Sequence, residues 1–154
     1  GVVERPRNQR LTKEVRESGA RVRLRDEVDA EGARIAATSD TDVDVLMGIG
    51  GVSQGVLAAC GVKASGGAML ARLRPQNAIE RENIRRAGLD ENRILTCGEL
   101  VNSNQIFFAA TSITDSSLLR AMQFWGGYAS THSLLIRSET GTRRIIHAEH
   151  GTHL

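Results

Sequence analysis

The stretch THSLLIRSETGTRRIIHAEH, Thr131 to His150, holds two β-rich runs around Glu139–Gly141, and this pattern predicts an antiparallel hairpin. The chain before it has a different rhythm, in which helical and extended segments alternate. Leu11 and Val15 stand four apart among charges, with Gly19 placed to end a short helix. Ala20–Leu24 alternates as a strand, and Ala30–Ser39 reads as a weak helix containing Gly32. Val43–Met47 has the look of a buried strand, and Ser53 is suited to cap a helix reaching about Val62. Ala68–Leu73 alternates until Pro75 stops it. Asn77–Gly88 predicts a helix with Ile79 and Ile84 inward, Asn92–Thr96 a short extended piece, and Gln105–Ile113 a buried strand. The expected fold class is α/β: a mixed sheet with helices packed against it and a C-terminal antiparallel hairpin. Residues 1–150 are expected to form one domain, with 151–154 as a tail.

One segment asks for more than packing. Directly after Val43–Met47 come glycines at 48, 50, 51 and 55, and then the expected helix. A strand, a glycine-rich turn and a helix N-terminus together make a place for an anion, because bare backbone admits close approach and free N–H groups point outward. The spacing fits neither standard nucleotide fingerprint. A dinucleotide loop needs glycine at position 53, where Ser53 stands. A P-loop running from Gly50 to Gly55 needs Lys and then Ser or Thr, where Val56 and Leu57 stand. By itself such a loop also serves as a tight packing turn.

Charge is distributed unevenly. Residues 1–25 carry eight basic side chains against three acidic, and residues 26–44 carry seven acidic against Arg34 alone. Two solvated faces account for this, as does an anion pocket beside a polar cluster. A basic run so short, followed at once by its opposite, does not suit DNA, and aromatics at 3% are too few for base stacking. No apolar run approaches the ~20 residues of a membrane span. Cys60 and Cys97 lack metal-like spacing and read as free thiols of a reducing compartment, so a cytoplasmic location is expected.

Five segments, in order, carry a family resemblance. GIGGVSQGVLA (48–58), followed by Gly66–Gly67, resembles the GIGG-x-P-E-G-V-L-A signature of the class II fructose-1,6-bisphosphatases, including the cyanobacterial fructose-1,6-/sedoheptulose-1,7-bisphosphatases. ERPRN (4–8) is similar to that family's [KR]-P-R-H, and GARVRLRDEVDA (19–30) to its GA-x-[IV]-R-L-x-x-DGDV. FFAATSITDSSLLRAM (107–122) resembles FFATGITDGDLLRGV, and the hairpin resembles THSLVMRSKTGTVRFIEAIH. The resemblance covers the second half of the family's chains, which are about twice this length. It implies the second half of a layered αβαβα sugar-phosphatase fold, with the N-terminal catalytic half outside this sequence. The start without methionine, inside an apolar run, fits a chain lifted from something longer as well as an artificial start.

The resemblance implies residue roles. Arg5 and Arg7 match the basic residues that grip substrate phosphate, a task suited to the rigid guanidinium fork. Asp29 matches the second aspartate of DGDV, which bonds sugar hydroxyls; Glu27 stands for the first, and Val28 for the glycine between them. Gly50 and Gly51 belong to the turn beside the substrate phosphate. Gln54 stands where the family has a glutamate ligand to catalytic Mn²⁺ or Mg²⁺, cations that prefer anionic oxygen, so weakened metal binding is expected. Ser53 replaces a proline, Asn8 a histidine, Ala68 a glutamate, and Ser112 and Ser116 glycines. His147, His150 and His153, three apart, do not gather on a strand, so a metal role is not expected of them, and His132 reads as an ordinary strand residue.

The expected function is a gluconeogenic or Calvin-type sugar bisphosphatase. It hydrolyses the 1-phosphate of fructose 1,6-bisphosphate with metal-activated water, this chain supplying phosphate and sugar binding and no catalytic residue of its own. The alternative is a non-catalytic sugar-phosphate binding module or an inactive fragment. The partners expected are the sugar bisphosphate, the N-terminal half of the same enzyme and further copies in a homo-oligomer, without nucleic acid or membrane.

Overall fold

A computed structural model describes residues 1–3, 6–25, 44–116 and 118–152. The chain opens with β1 (Val2–Val3), a 3-10 turn (Pro6–Asn8), α1 (Gln9–Glu17) and β2 (Leu24–Arg25). Then follow α2 (Val52–Ala64), β3 (Leu70–Arg72), α3 (Ala78–Arg86), β4 (Ile94–Thr96) and α4 (Cys97–Leu100). It closes with β5 (Phe107–Thr111), β6 (Gln123–Trp125), β7 (Tyr128–Arg137) and β8 (Thr142–Gly151). The α/β class is as expected, and parallel and antiparallel pairing fall in separate sheets. β1 and β2 are parallel, β3 and β4 form an antiparallel pair, and β5 to β8 form a four-stranded antiparallel sheet.

That sheet is organised by β7, whose ten residues pair with all ten of β8, from Tyr128↔Gly151 to Arg137↔Thr142. Gly141, at φ 61°, makes the turn, a left-handed conformation that glycine adopts without steric cost. The other edge of β7 is shared by β5, opposite Ser133–Arg137, and β6, opposite Tyr128–Ser130. Ser138 fastens the hairpin tip to the entry of β5. Its Oγ accepts from the Ile106 N–H at 2.8 Å and donates to the Asn104 carbonyl at 2.8 Å.

The core lies where α2 meets β5 and β7. Ala64, Phe108, Leu119, Leu134 and Ile136 are buried together, with Cys60, Ile106, Ala110 and Leu118 packed around them. Period-two alternation puts Phe108 and Ala110, with Leu134 and Ile136, on the helix side of the sheet. α2 ends in a Schellman turn: the Gly67 N–H donates to the Val62 carbonyl at 2.9 Å and the Gly66 N–H to that of Lys63 at 3.1 Å. The Lys63 ammonium reaches the Val101 carbonyl at 2.7 Å, tying α2 to the end of α4.

Three expected burials are not met among the described residues. Val45 is 62% exposed and Met47 makes a single bridge, so Asp44–Met47 is not the buried strand its apolarity predicts. Ile79 is 74% exposed, because no residue of α3 packs into the core and its charged flanks hold it by caps and ion pairs. In β5 only Phe108 is buried, since a sheet with one covered face buries alternate residues. The helix expected at Ala30–Ser39 lies outside the described residues. Among the described residues no helix is long and apolar enough to cross a membrane.

α4 rests on an acidic cap. Glu99 accepts from the Thr96 N–H at 2.8 Å and from its hydroxyl at 3.0 Å, and pairs with Arg93. The Thr96 backbone bond, then its hydroxyl and the Arg93 guanidinium, hold the Glu99 carboxyl below the usual carboxylate value. A lowered native value means that this contribution is present above the unfolded range and is lost as pH falls through the native value. Protection of the Thr96–Leu100 amides, measured against the unstructured exchange rate at each pH, is therefore expected to fall selectively as pH drops below the ordinary carboxylate range. In Glu99→Ala the same amides should be poorly protected at neutral pH, with no further loss of protection on acidification; an unchanged acid response would refute the assignment.

Candidate functional site

β1 lies between two parallel neighbours. Val2 pairs with Leu24 of β2 on one side and bridges Met47 on the other. The Val2 N–H donates to the Arg23 carbonyl at 2.9 Å, and the Met47 N–H donates to the Gly1 carbonyl at 2.9 Å. Because the three segments run the same way, their carboxyl ends leave at one edge. From β1 the chain enters the Pro6–Asn8 turn, which contains Arg7. From Met47 it enters Gly48–Gly51 and the N-terminus of α2. From β2 it enters residues 26–43. Arg5, Glu27 and Asp29 lie outside the described residues, and of Arg7 only the backbone is described. The topology thus brings the Arg7 turn and the glycine turn to the same edge, the side of a parallel sheet where helix N-termini and ligands meet.

The glycine turn is locked by Gln54. Gly51, at φ −67° and ψ 159°, is the cap of α2, and its N–H donates to Gln54 Oε1 at 3.0 Å. A Cβ on Gly50 would come within 3.4 Å of that oxygen. Ser53, expected as the cap, is instead the second helical residue, because Gln54 at the third helical position supplies the reciprocal bond that fixes the start. Gly51, Val52, Ser53 and Gln54 are all exposed, and the first turn of α2 contains no acidic residue. The positive end of the helix dipole therefore faces solvent uncompensated within that turn. Such an end is chemically suited to an anion.

For a divalent metal the same residues do not fit. The Gln54 side chain is neutral, and its carbonyl oxygen already accepts from the Gly51 N–H. Among the described residues no group of three His, Cys, Asp or Glu could hold a metal ion. His132 and His147 face one another across β7 and β8 with ring centroids 4.6 Å apart, while His150, on the other face, bonds Thr131 Oγ1 at 3.0 Å. The alternation of a strand keeps them apart, as expected; His153 lies outside the described residues.

Some substituted positions have structural work that motif reading did not show. Asn8 is 1% exposed at the start of α1. Ser116 Oγ accepts from the Leu119 N–H at 2.9 Å, and Asp115 Oδ1 accepts from the Ala121 N–H at 2.8 Å. Together they brace the loop between β5 and β6 and hold Leu119 in the core. The Asp-Ser pair is itself a turn signal.

Comparison with known proteins shows the family. The family model described as bacterial fructose-1,6-bisphosphatase, glpX-encoded, matches residues 1–150. The chain belongs to this family. It is 34% identical to the class 2 fructose-1,6-bisphosphatase of Haemophilus influenzae, over 97% of this chain and 49% of that enzyme. It is 33% identical to two Synechococcus proteins named D-fructose 1,6-bisphosphatase class 2/sedoheptulose 1,7-bisphosphatase, over 97% of this chain and 47% of each. The chain spans about half the length of these curated relatives, and the family match begins before the Arg7 turn and ends after His147. The glycine turn capped by Gln54 is thus a feature of a fructose-1,6-bisphosphatase family member.

Proposed function

We propose that this chain supplies the substrate-binding part of a sugar bisphosphatase, gripping the phosphate that is not hydrolysed and the sugar next to it. The observation that carries the reading is the shared edge: parallel pairing of β1 with β2 and with the Met47 segment sends the Arg7 turn and the Gly50–Gly51 turn out on one side. Arg5 and Arg7 would offer bidentate guanidinium donors to phosphate oxygens. The Gly51–Gln54 turn adds the N-terminal dipole of α2, and Asp29, with Glu27, would accept from sugar hydroxyls. Fructose 1,6-bisphosphate is the substrate proposed, with sedoheptulose 1,7-bisphosphate of the same chemistry. Mn²⁺ or Mg²⁺, as proposed cofactor, would need carboxylates beyond those described here, since Gln54 contributes no charge. That neutral, occupied Gln54 also favours a second reading, a sugar-phosphate binding module without turnover. The reaction is not routed through this chain's own residues in either case. A cytoplasmic setting and assembly into a homo-oligomer complete the proposal.

A thermal-shift titration with fructose 1,6-bisphosphate tests it. At a hundredfold excess over Kd the ligand should add about 2.7 kcal/mol of stability without metal, and Arg7→Ala should abolish most of that gain. Mn²⁺ alone should leave the transition where it is. A gain that inorganic phosphate reproduces in full, or one indifferent to Arg7→Ala, refutes the phosphate-and-sugar grip. A Mn²⁺ shift of the wild-type chain refutes the role given to Gln54.

A further inference from the structure

The chain has four histidines, and the hairpin register brings two of them together. His132 of β7 stands directly opposite His147 of β8, with ring centroids 4.6 Å apart and ring planes tilted by 35°. Two backbone bonds fix the kind of pair. The Ser112 N–H donates to the His132 carbonyl at 3.0 Å, so that carbonyl points toward β5 and away from β8. At the open end of the hairpin the Thr152 N–H donates to the Gly127 carbonyl at 2.7 Å, and alternation from there makes His132 and His147 a non-hydrogen-bonded pair. Pairs of that kind hold their side chains closest across a sheet. His132 is half-buried and His147 exposed. Neither imidazole has a hydrogen-bonded partner among the described residues. Glu149 lies on the same face, diagonal to His132, and forms no ion pair among the described residues. Arg143, the cation of that face of β8, is further off, beyond Ile145.

We propose that His132 and His147 form a two-nitrogen site for a borderline divalent ion of the Zn²⁺ class, which clips β7 to β8. Imidazole nitrogen suits Zn²⁺, Ni²⁺ and Cu²⁺, whereas Mn²⁺ and Mg²⁺ favour oxygen. The spacing suits a shared ion. With each nitrogen about 2.0–2.1 Å from it, at square or tetrahedral angles, the ring centres stand roughly 4.5–5.2 Å apart. The χ2 torsion of histidine is broad, so each ring can turn a nitrogen to the common point while the strands stay in place. Among the described residues no third His, Cys, Asp or Glu is gathered with the pair, so water completes the shell and the ion stays exchangeable. Glu149 contributes an attractive charge from the flank. The spacing of His147, His150 and His153 along one strand carries no such signal, because the chelating partner lies across the hairpin. Neither histidine belongs to the proposed phosphate grip, so the two readings fail separately.

Isothermal titration of the chain with Zn²⁺ at about pH 7.5, where an ordinary imidazole is mostly neutral, tests the site. One ion per chain should bind, and Zn²⁺ should raise the melting midpoint, because only the folded register brings the rings together. His132→Asn and His147→Asn should each remove that rise and weaken binding by at least ~10-fold, the least that loss of an outer-shell partner costs a metal site. His150→Asn combined with His153→Asn should leave the affinity unchanged, and Mn²⁺ should produce no rise. Proton resonance of the wild-type chain gives an answer that needs no variant to fold: Zn²⁺ should shift the imidazole Cε1–H signals of His132 and His147 and leave those of His150 and His153. Absence of binding, binding without a rise in melting, or binding that survives either cross-strand substitution overturns the proposal. Equally tight binding by the urea-unfolded chain overturns it as well, since the nitrogens would then need no register.

Discussion

Leu134→Ala is expected to remove about 2–5 kcal/mol of stability, enough to abolish cooperative unfolding of the isolated chain at 37 °C if its reserve is that of an ordinary domain. Leu134 is 1% exposed and lies in the strand that every other strand of the sheet pairs with or reaches through it. Its side chain shares one cluster with Ala64 from α2, Phe108 from β5 and Leu119 from the braced loop. Removing it empties the point where three elements meet, and none can close the gap without breaking a ladder or a turn. Chemical denaturation monitored by near-ultraviolet circular dichroism at Trp125 and far-ultraviolet dichroism together is the check. Leu135→Ala, one residue on, is the comparison: in the isolated chain it should cost less than half as much, because its face is uncovered. Equal losses would mean that the helix-side cluster is not the core.

The second large effect is expected at Gly61. This residue is buried in the middle of α2, and a Cβ placed there would stand 3.2 Å from Phe108 Cε2 and 3.3 Å from its Cζ. Glycine inside a helix costs about 1 kcal/mol against alanine, so its presence here reflects the close approach of helix to sheet. Gly61→Ala sets that propensity gain against overpacking of about 1–3 kcal/mol, and a net loss near 1 kcal/mol is expected. Gly61→Leu has no such offset and should displace α2 from β5, costing 3 kcal/mol or more by the same overpacking argument. Phe108→Leu should rescue Gly61→Ala, making the pair strongly non-additive in a double-mutant cycle. Additive losses would show that the contact does not limit how closely α2 packs. Because α2 also carries Gly51 and Gln54, the displaced variant should bind fructose 1,6-bisphosphate more weakly than its stability alone predicts.

The hairpin, the helices at Gln9–Glu17 and Ala78–Arg86, and the strand at Leu70–Arg72 were legible because their signals are local: alternation, helical caps and glycine ends. Burial was less legible. Val45 and Ile79 are apolar at positions where the pattern asks for a core, yet both are exposed among the described residues. Period places a side chain on a face, but whether that face is covered depends on another element. The candidate site divides the same way. The glycine turn is readable as bare backbone ahead of a helix from Gly48 to Gly55, whereas the residue types point to Ser53 as the cap and the structure has Gly51. The deciding bond, Gly51 N–H to Gln54 Oε1, depends on where the helix begins.

Sequence alone determined the family, the α/β class, the hairpin and the glycine turn, since each resides in residue identities at short, ordered spacing. Only the tertiary structure decided that the Arg7 turn and the glycine turn share an edge, because parallel pairing of Val2 with both Leu24 and Met47 joins segments more than twenty residues apart. It alone decided that the Gln54 oxygen accepts from the Gly51 N–H, and that the helix side of the sheet buries Phe108, Leu134 and Ile136. Those outcomes depend on which backbone groups and which surfaces meet in space, and non-local contacts of that kind leave no periodic trace along the chain.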